Sequence, residues 1–590
     1  MCQFIEAMEG LKSSSTLSVA NDKFSNFNKY MHIASKMDDR LRTVVRFSAK
    51  RNKSLVLVCG NSGDGKSHLI ANFISQGEIN TEIFDIYIDA TSSDKKGMRA
   101  NEKLREKLDE FSDEKLNNGR TYRLIVAINL GVLNDFIKNY QDEYSTLKDY
   151  VDEQGLFDNI PAWKFIQMER EDQDNKAYSF GHVDFTSFHR YEINARGADT
   201  SFFSELLNKI LSSDVENSIY QAYSTGCKSC SHNINCPVYW NYQELISNDK
   251  LRNHVIEILA KSIIKNNLAP SVREINDFYY EIIIGRTFDE SAITSKSVNR
   301  LTHFIKNMIL WLLYESNEGL LQYTSKEDVL GDVNRRCDKE IIALNLKPNF
   351  ELWLQETAIN TSPIFAQIFN DILYCKNGNA KKYKDNEQDI KQAVFKLYIR
   401  YTKLSEDQVD EKYQAFLSYL FYYNVGVEGK CKDVIRLVEE CVYLWNGRLG
   451  DKSGTNIKNG VIVNRASSKF YLFKKIDVKF AKNTKIIPLD ENAEFLNFSS
   501  VMRFGFKLKD GKVIIPLDID FELYSFLLDV AGGFTPTNSD RKRNVKYDAF
   551  VRKLIAESDS DLYVYARGED GKTYRISKDD FDNYTFDYEV

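Results

Sequence analysis

The sequence predicts an α/β core, a mostly parallel sheet with helices on both faces, followed by an α-helical region and a C-terminal α+β module. Three observations carry that expectation. An apolar run of strand length, Leu55-Val56-Leu57-Val58-Cys59, leads through a glycine-rich loop into a helical segment. Further strand-like runs, Ile83 to Asp89, Leu124 to Asn129 and Gly181 to Phe185, alternate with helical stretches such as Asn101 to Phe111, the order that crossover helices over a parallel sheet produce. Beyond residue 286 apolar residues recur at helical spacing, and from about 451 short strands and turns take over.

The loop after the first strand reads Gly60-Asn61-Ser62-Gly63-Asp64-Gly65-Lys66-Ser67, the G-x-x-x-x-G-K-S spacing of a P-loop. Gly60, Gly63 and Gly65 let the backbone turn with its N–H groups inward, where side chains would block a polyphosphate. The helix that follows adds the positive end of its dipole. Lys66 is placed to reach the β- and γ-phosphates, and the Ser67 hydroxyl to ligate Mg²⁺. ATP and Mg²⁺ are therefore the expected cofactors, held by Gly60, Asn61, Gly63, Asp64, Gly65, Lys66, Ser67 and His68. The expected core is a P-loop NTPase over 54–215, after an N-terminal lead-in, 1–53, whose basic residues Arg46, Lys50, Arg51 and Lys53 read as a solvated helix end.

A P-loop ATPase ordinarily has an acidic residue after an apolar strand, to hold Mg²⁺ and orient water. The most apolar strand here ends at Ile128 and is followed by Asn129. Asn can orient a water or report on the γ-phosphate, but it is no general base. Asp89, at the tip of a neighbouring strand-like run, is the first alternative and Asp184 another; each is equally at home capping a turn. Arg273 follows Ser271, and Ser271 with Glu274 has capping-box spacing. A helix is expected to start there with Arg273 in its first turn, either touching the γ-phosphate or pairing with a nearby carboxylate. Lys66, Asp89, Asn129 and Arg273 are thus the catalytic candidates.

Residues 216–300 read as a Cys-rich insertion with lid-like helices. Cys227, Cys230, His232 and Cys236 lie within ten residues. Cys-x-x-Cys spacing lets two thiolates share one Zn²⁺, and His232 with Cys236 would complete a structural Cys₃His site. Free thiols in a loop, or an iron–sulfur cluster with a distant fourth ligand, are the other readings. An α-helical domain over 301–450 and an α+β domain over 451–590 complete the expected organisation. In the latter, Lys509-Asp510-Gly511-Lys512 reads as a hairpin turn, Phe521 to Val530 as a helix and Arg541-Lys542-Arg543 as an exposed loop.

Composition narrows the setting. The net charge of −6, from 79 basic and 85 acidic residues, gives no global field to attract nucleic acid, so DNA contact is expected to be local or supplied by a partner. The longest apolar stretches, such as Met308 to Tyr314, are too short to cross a bilayer. The first residues lack a signal-type core, and nine cysteines, several in helix-like or strand-like segments, do not form a secreted disulfide framework. A cytoplasmic protein without membrane partners is expected, its oligomeric state left open.

Taken together, Cys59 to Leu69, Asp89-Ala90-Thr91, Ala127-Ile128-Asn129-Leu130-Gly131-Val132-Leu133, the Cys227 to Pro237 segment and Arg273-Glu274-Ile275-Asn276-Asp277-Phe278 resemble the DptF family, the ATPase subunits of bacterial DNA phosphorothioation-dependent restriction systems. The resemblance covers the first half of the chain. It implies partner restriction subunits and an assembly that attacks DNA lacking backbone sulfur, with ATP turnover driving loading, translocation or nuclease activation. No nuclease motif accompanies it. A signalling-type switch ATPase and a scaffold with structural nucleotide are the alternatives.

Overall fold

The structure is a computed structural model and describes residues 2–13, 25–88, 100–154, 156–157, 178–186, 188–294, 298–331, 335–347, 349–378, 380–404, 410–449, 459–465, 470–481, 498–560, 562–566, 573–578 and 583–589. The chain forms two compact units. One comprises Met1–Tyr191, Thr200–Ile263 and Ala269–Gln408; the other comprises Glu192–Asp199, Ile264–Leu268 and Val409–Val590.

In the first unit, α1 (Gln3–Ser13), α2 (Asn26–Met31) and α3 (Lys36–Ala49) precede β1 (Lys53–Cys59). The glycine-rich loop joins β1 to α4 (Lys66–Ser75). There follow β2 (Asp85–Tyr87), α5 (Ala100–Leu108), β3 (Tyr122–Ile128), α6 (Leu130–Tyr140), α7 (Ser145–Glu153) and β4 (Tyr178–Asp184). The four strands pair in parallel in the order β2-β3-β1-β4. All seven residues of β1 are buried, as expected of a central parallel strand covered on both sides.

Alternation along the strands divides the two faces. Leu55, Leu57, Leu124, Val126 and Phe180 join Leu104 and Leu108 of α5, Leu133 and Phe136 of α6, and Leu147 and Val151 of α7 in one core. On the opposite face α3 lies so close to β4 that a Cβ at Gly181 would stand 2.6 Å from Val44 Cγ1. The expected parallel sheet with helices on both faces is what the unit contains, although β2 is only three residues long. Lys53 departs from the expected solvated patch. Its ammonium is buried and donates to the carbonyls of Glu110 and Lys115 and to Asn118 Oδ1, at 3.1, 2.7 and 2.8 Å. It anchors the end of β1 remote from the loop.

The rest of this unit is helical: α8 (Ser201–Leu211), α9 (Ser218–Ala222), α10 (Pro237–Ser247), α11 (Asp249–Lys265), α12 (Val272–Ile284), and further helices up to Ala380–Lys403. Leu251, Val255, Leu259, Leu301, Phe304 and Met308, which recur at helical spacing, are all buried.

Besides the short antiparallel pair β5 (Glu192–Asn194) and β6 (Gly197–Asp199), the second unit holds two larger antiparallel sheets. One is ordered β11-β10-β9 and the other β14-β13-β12-β8-β7, from β7 (Gly460–Arg465), β8 (Phe470–Lys475), β9 (Val478–Phe480), β10 (Met502–Leu508), β11 (Ile515–Ile519), β12 (Leu562–Ala566), β13 (Thr573–Lys578) and β14 (Tyr584–Glu589). The hairpin expected around Lys509 to Lys512 joins β10 to β11. The helix expected at 521 is Phe521–Ala531. Arg541-Lys542-Arg543 is not a loop: it closes a helix, Asn538–Arg543, because Thr537 and Asp540 form a capping box, and the three cations sit against the negative helix end. Among the described residues no helix is long and apolar enough to cross a membrane.

Candidate phosphate-binding site

The register of the sheet defines the site. Cys59, the last residue of β1, stands level with Ile128 of β3 and Asp184 of β4. The loop therefore leaves the carboxyl edge of the sheet between two strand ends, where chain winding passes from one side of β1 to the other. Ligands of open α/β sheets bind at such a place. Gly60 N–H donates to the Ile128 carbonyl at 3.2 Å, and Phe185 N–H to the Cys59 carbonyl at 2.9 Å, which ties the first loop residue to both neighbours.

Two glycines are required by contact as well as by conformation. A Cβ at Gly60 would meet Asp64 Oδ2 and Phe185 Cβ, both at 2.9 Å. One at Gly63, whose φ is +89°, would meet Ser271 Oγ at 3.0 Å and Arg273 Cβ at 3.1 Å. Gly65 is the N-cap of α4 and no side chain caps that helix, so its first-turn amides have no side-chain acceptor at the cap, the arrangement that favours an anion.

Lys66 curls back over this loop. Its Nζ donates to the carbonyls of Gly60 at 2.8 Å and Asn61 at 2.6 Å. Burial lowers its pKa, helped by the positive charge of Arg273 and opposed by Asp64. Arg273 is where the capping box expected at Ser271 puts it. That box is formed, with Ser271 and Glu274 exchanging hydrogen bonds, and Arg273 N–H donates to the Gly63 carbonyl at 3.4 Å. The start of α12 thus rests on the loop, and the structure brings Lys66 and Arg273, 207 residues apart in the sequence, to one place.

Asp64 is buried. Its Oδ2 accepts the Asn61 N–H at 2.5 Å. Burial raises its pKa, against the pull of the Asn61 amide, Arg190 and Lys66. The Asp64 carbonyl accepts a hydrogen bond from Arg190 Nη2 at 3.0 Å. Arg190 has no local sequence signature and was not among the expected residues; it reaches the loop from beyond β4.

The three candidate carboxylate or amide positions fare differently. Asn129 is the N-cap of α6, its Oδ1 accepting the Gly131 N–H at 2.7 Å. Asp89 lies outside the described residues. Asp184 ends β4, is buried, and accepts the Thr186 N–H and hydroxyl at 3.0 and 2.8 Å. After burial itself, its negative charge is the next influence raising the Cys59 thiol pKa, which places that charge at the foot of the loop. Ser67, on the first turn of α4, is half-buried.

His68, expected among the nucleotide-binding residues, turns to the N-terminal helices instead. Its Nε2 lies 3.2 Å from His32 Nδ1, and His32 Nε2 lies 2.7 Å from Asp38 Oδ1. Burial, then the neighbouring His32, pushes the His68 pKa down to about 4. Neutral His68 can therefore donate to His32, and His32 to Asp38, which also closes the capping box of α3.

The cysteine segment departs from its expected form. Among the described residues no group of three or more His, Cys, Asp or Glu side chains is arranged to hold a metal ion, so the Cys227, Cys230, His232 and Cys236 set is not assembled. Cys227 is buried, while Cys230 and His232 face outward, and Cys236 serves as N-cap of α10 ahead of Pro237. The thiol beside Cys227 is Cys2, at the start of α1. The hydrogen bond from Cys227, against burial and with the amides of Ile5 and Phe4, pulls the Cys2 thiol down to about 6.

The geometry thus gathers two cationic side chains, Lys66 and Arg273, with uncapped helix amides and a buried carboxylate at the edge of a parallel sheet, an arrangement chemically suited to a polyphosphate with a divalent cation. No family model, curated protein or solved structure matches the chain.

Proposed function

We propose that the chain is a Mg²⁺-dependent ATPase and the motor or switch subunit of a bacterial DNA restriction complex acting on DNA that lacks phosphorothioate modification. The observation that carries the nucleotide part of this reading is the seating of α12 on the glycine-rich loop, which puts Arg273 beside Lys66. Two cations converging on a loop that opens a helix with no side-chain cap favour a group with several negative charges. In this reading the loop amides and Lys66 hold the β- and γ-phosphates, Ser67 ligates Mg²⁺, and Arg273 meets charge developing on the γ-phosphate. Asp184 supplies the carboxylate that Asn129 does not. The restriction context is supported by the family resemblance of the first half of the sequence, with DNA engaged through partner subunits.

The test is phosphate release from ATP by the wild-type chain and Lys66→Ala, alone, with DNA and with co-expressed neighbouring proteins. Loss of one transition-state cation is expected to lower turnover by about 100-fold or more. Turnover unchanged in folded Lys66→Ala contradicts the ATPase reading; turnover indifferent to DNA and to partners contradicts the restriction reading.

A further inference from the structure

Arg190 is the loop neighbour for which the proposed chemistry has given no role. Its guanidinium donates from Nη2 to the Asp64 carbonyl at 3.0 Å and lies over the rings of Phe185 and Phe202, 5.8 and 5.7 Å from their centroids. Among the described residues no carboxylate forms an ion pair with it, and burial lowers its pKa, eased by the charge of Asp64. Arginine retained in such a place without a paired anion needs a reason, because a half-buried guanidinium gives up hydration for one neutral acceptor and two ring faces.

The reason lies in the peptide that Arg190 holds. In a trans peptide the carbonyl of one residue and the N–H of the next point to opposite sides. Fixing the Asp64 carbonyl on Arg190 therefore turns the Gly65 N–H away from Arg190. Gly65, at φ +97°, has no side chain to restrain that peptide. The other end of residue 64 is also secured, through its carboxylate and the Asn61 N–H. Phe185, under the guanidinium, stands where a Cβ at Gly60 would touch it at 2.9 Å. Arg190 and Phe185 together back the loop from the side of β4.

We propose that Arg190 is a positioning residue that braces the Asp64–Gly65 peptide so that the Gly65 amide faces the phosphates of a bound nucleoside triphosphate. This rests on the nucleotide reading above. It differs from an electrostatic role for Arg190 in what it predicts: the brace sets how well the loop is preorganised, and so acts on affinity more than on the chemical step.

The experiment measures Mg²⁺–ATP binding with a fluorescent ATP analogue, together with KM and kcat, in the 590-residue chain and in Arg190→Met and Arg190→Lys. Arg190→Met is expected to weaken binding and raise KM by about tenfold, with kcat within about twofold and the thermal midpoint retained. Arg190→Lys, which keeps one donor but no flat face for the rings, is expected to fall between, about threefold weaker than wild type. If Arg190→Met does not fold, Arg190→Lys decides: a loss of threefold supports the brace and wild-type affinity overturns it. Wild-type affinity in folded Arg190→Met, or a loss confined to kcat, overturns the brace and leaves the nucleotide reading standing. A wild-type chain that binds no nucleotide removes both.

Discussion

The strands on either side of β1 reach the loop level with one another and are built from different material. The last five residues of β3, Leu124 to Ile128, are apolar and buried, and the chain then turns at Asn129, whose side chain caps α6. β4 instead buries Ser179, His182 and Asp184. Polar groups within a covered parallel sheet are costly unless they are bonded. In β4 two of the three are: His182 Nδ1 meets the Tyr150 hydroxyl at 2.7 Å, and Asp184 holds Thr186, while the buried Ser179 hydroxyl has no hydrogen-bond partner among the described residues. β3 resembles scaffold on this comparison, and β4, with Arg190 beyond it, is the side on which chemistry would be placed.

The comparison breaks most visibly at Asp184. Asp184→Asn is expected to lower ATP turnover by about 100-fold while nucleotide binding stays near wild type, since under the proposed function the loss falls on a group that would act at the reacting phosphate. Parallel phosphate-release and binding assays check it. A loss of turnover in Asn129→Ala and none in Asp184→Asn reverses the roles of the two strands.

Acid gives the next largest effect. Burial pushes the His182 pKa down to about 3, against about 6.5 for an exposed histidine. The unfolded chain therefore takes up a proton near 6.5 that the folded chain refuses until about 3. His182 thus leaves stability intact above the unfolded pKa and erodes it as pH falls from 6.5 towards 3, by up to about 1.4 kcal/mol per pH unit. His68 and His254, both lowered by burial to about 4, add in the same direction. Urea midpoints at pH 7, 6 and 5 should fall, and fall less steeply in His182→Gln. Equal midpoints across that range would show β4 to be as insensitive as β3, which carries no titratable group in its last five residues.

The smallest effect is expected at the end of β3. Asn129→Ala removes the α6 cap and should cost about 1 kcal/mol of stability, read from the same urea curves, with turnover within about twofold of wild type.

What could be read beforehand follows sequence locality. The glycine-rich loop between a strand and a helix, the start of α12 at Ser271 and the β10–β11 hairpin were legible because spacing within a few residues determines each. Asp184 was visible as a strand-end carboxylate, but its place level with Cys59 depends on strand order, which no spacing encodes. The link from Arg190 to Asp64 spans 126 residues and that from His32 to His68 spans 36; each arises from packing of α3 or of the segment after β4. The cysteine segment shows the complementary limit of local spacing. Cys-x-x-Cys spacing is local and suggests a shared metal, whereas the thiol placed against Cys227 comes from Cys2, at the start of a distant helix.

The central claim is that the loop after β1 grips a triphosphate. Calorimetric titration of Mg²⁺–ATP into the wild-type chain and into folded Lys66→Ala tests it most directly. Saturable one-to-one binding, at least about tenfold weaker in Lys66→Ala, is the result expected. Absence of binding to the wild-type chain, or equal affinity in both, would contradict it.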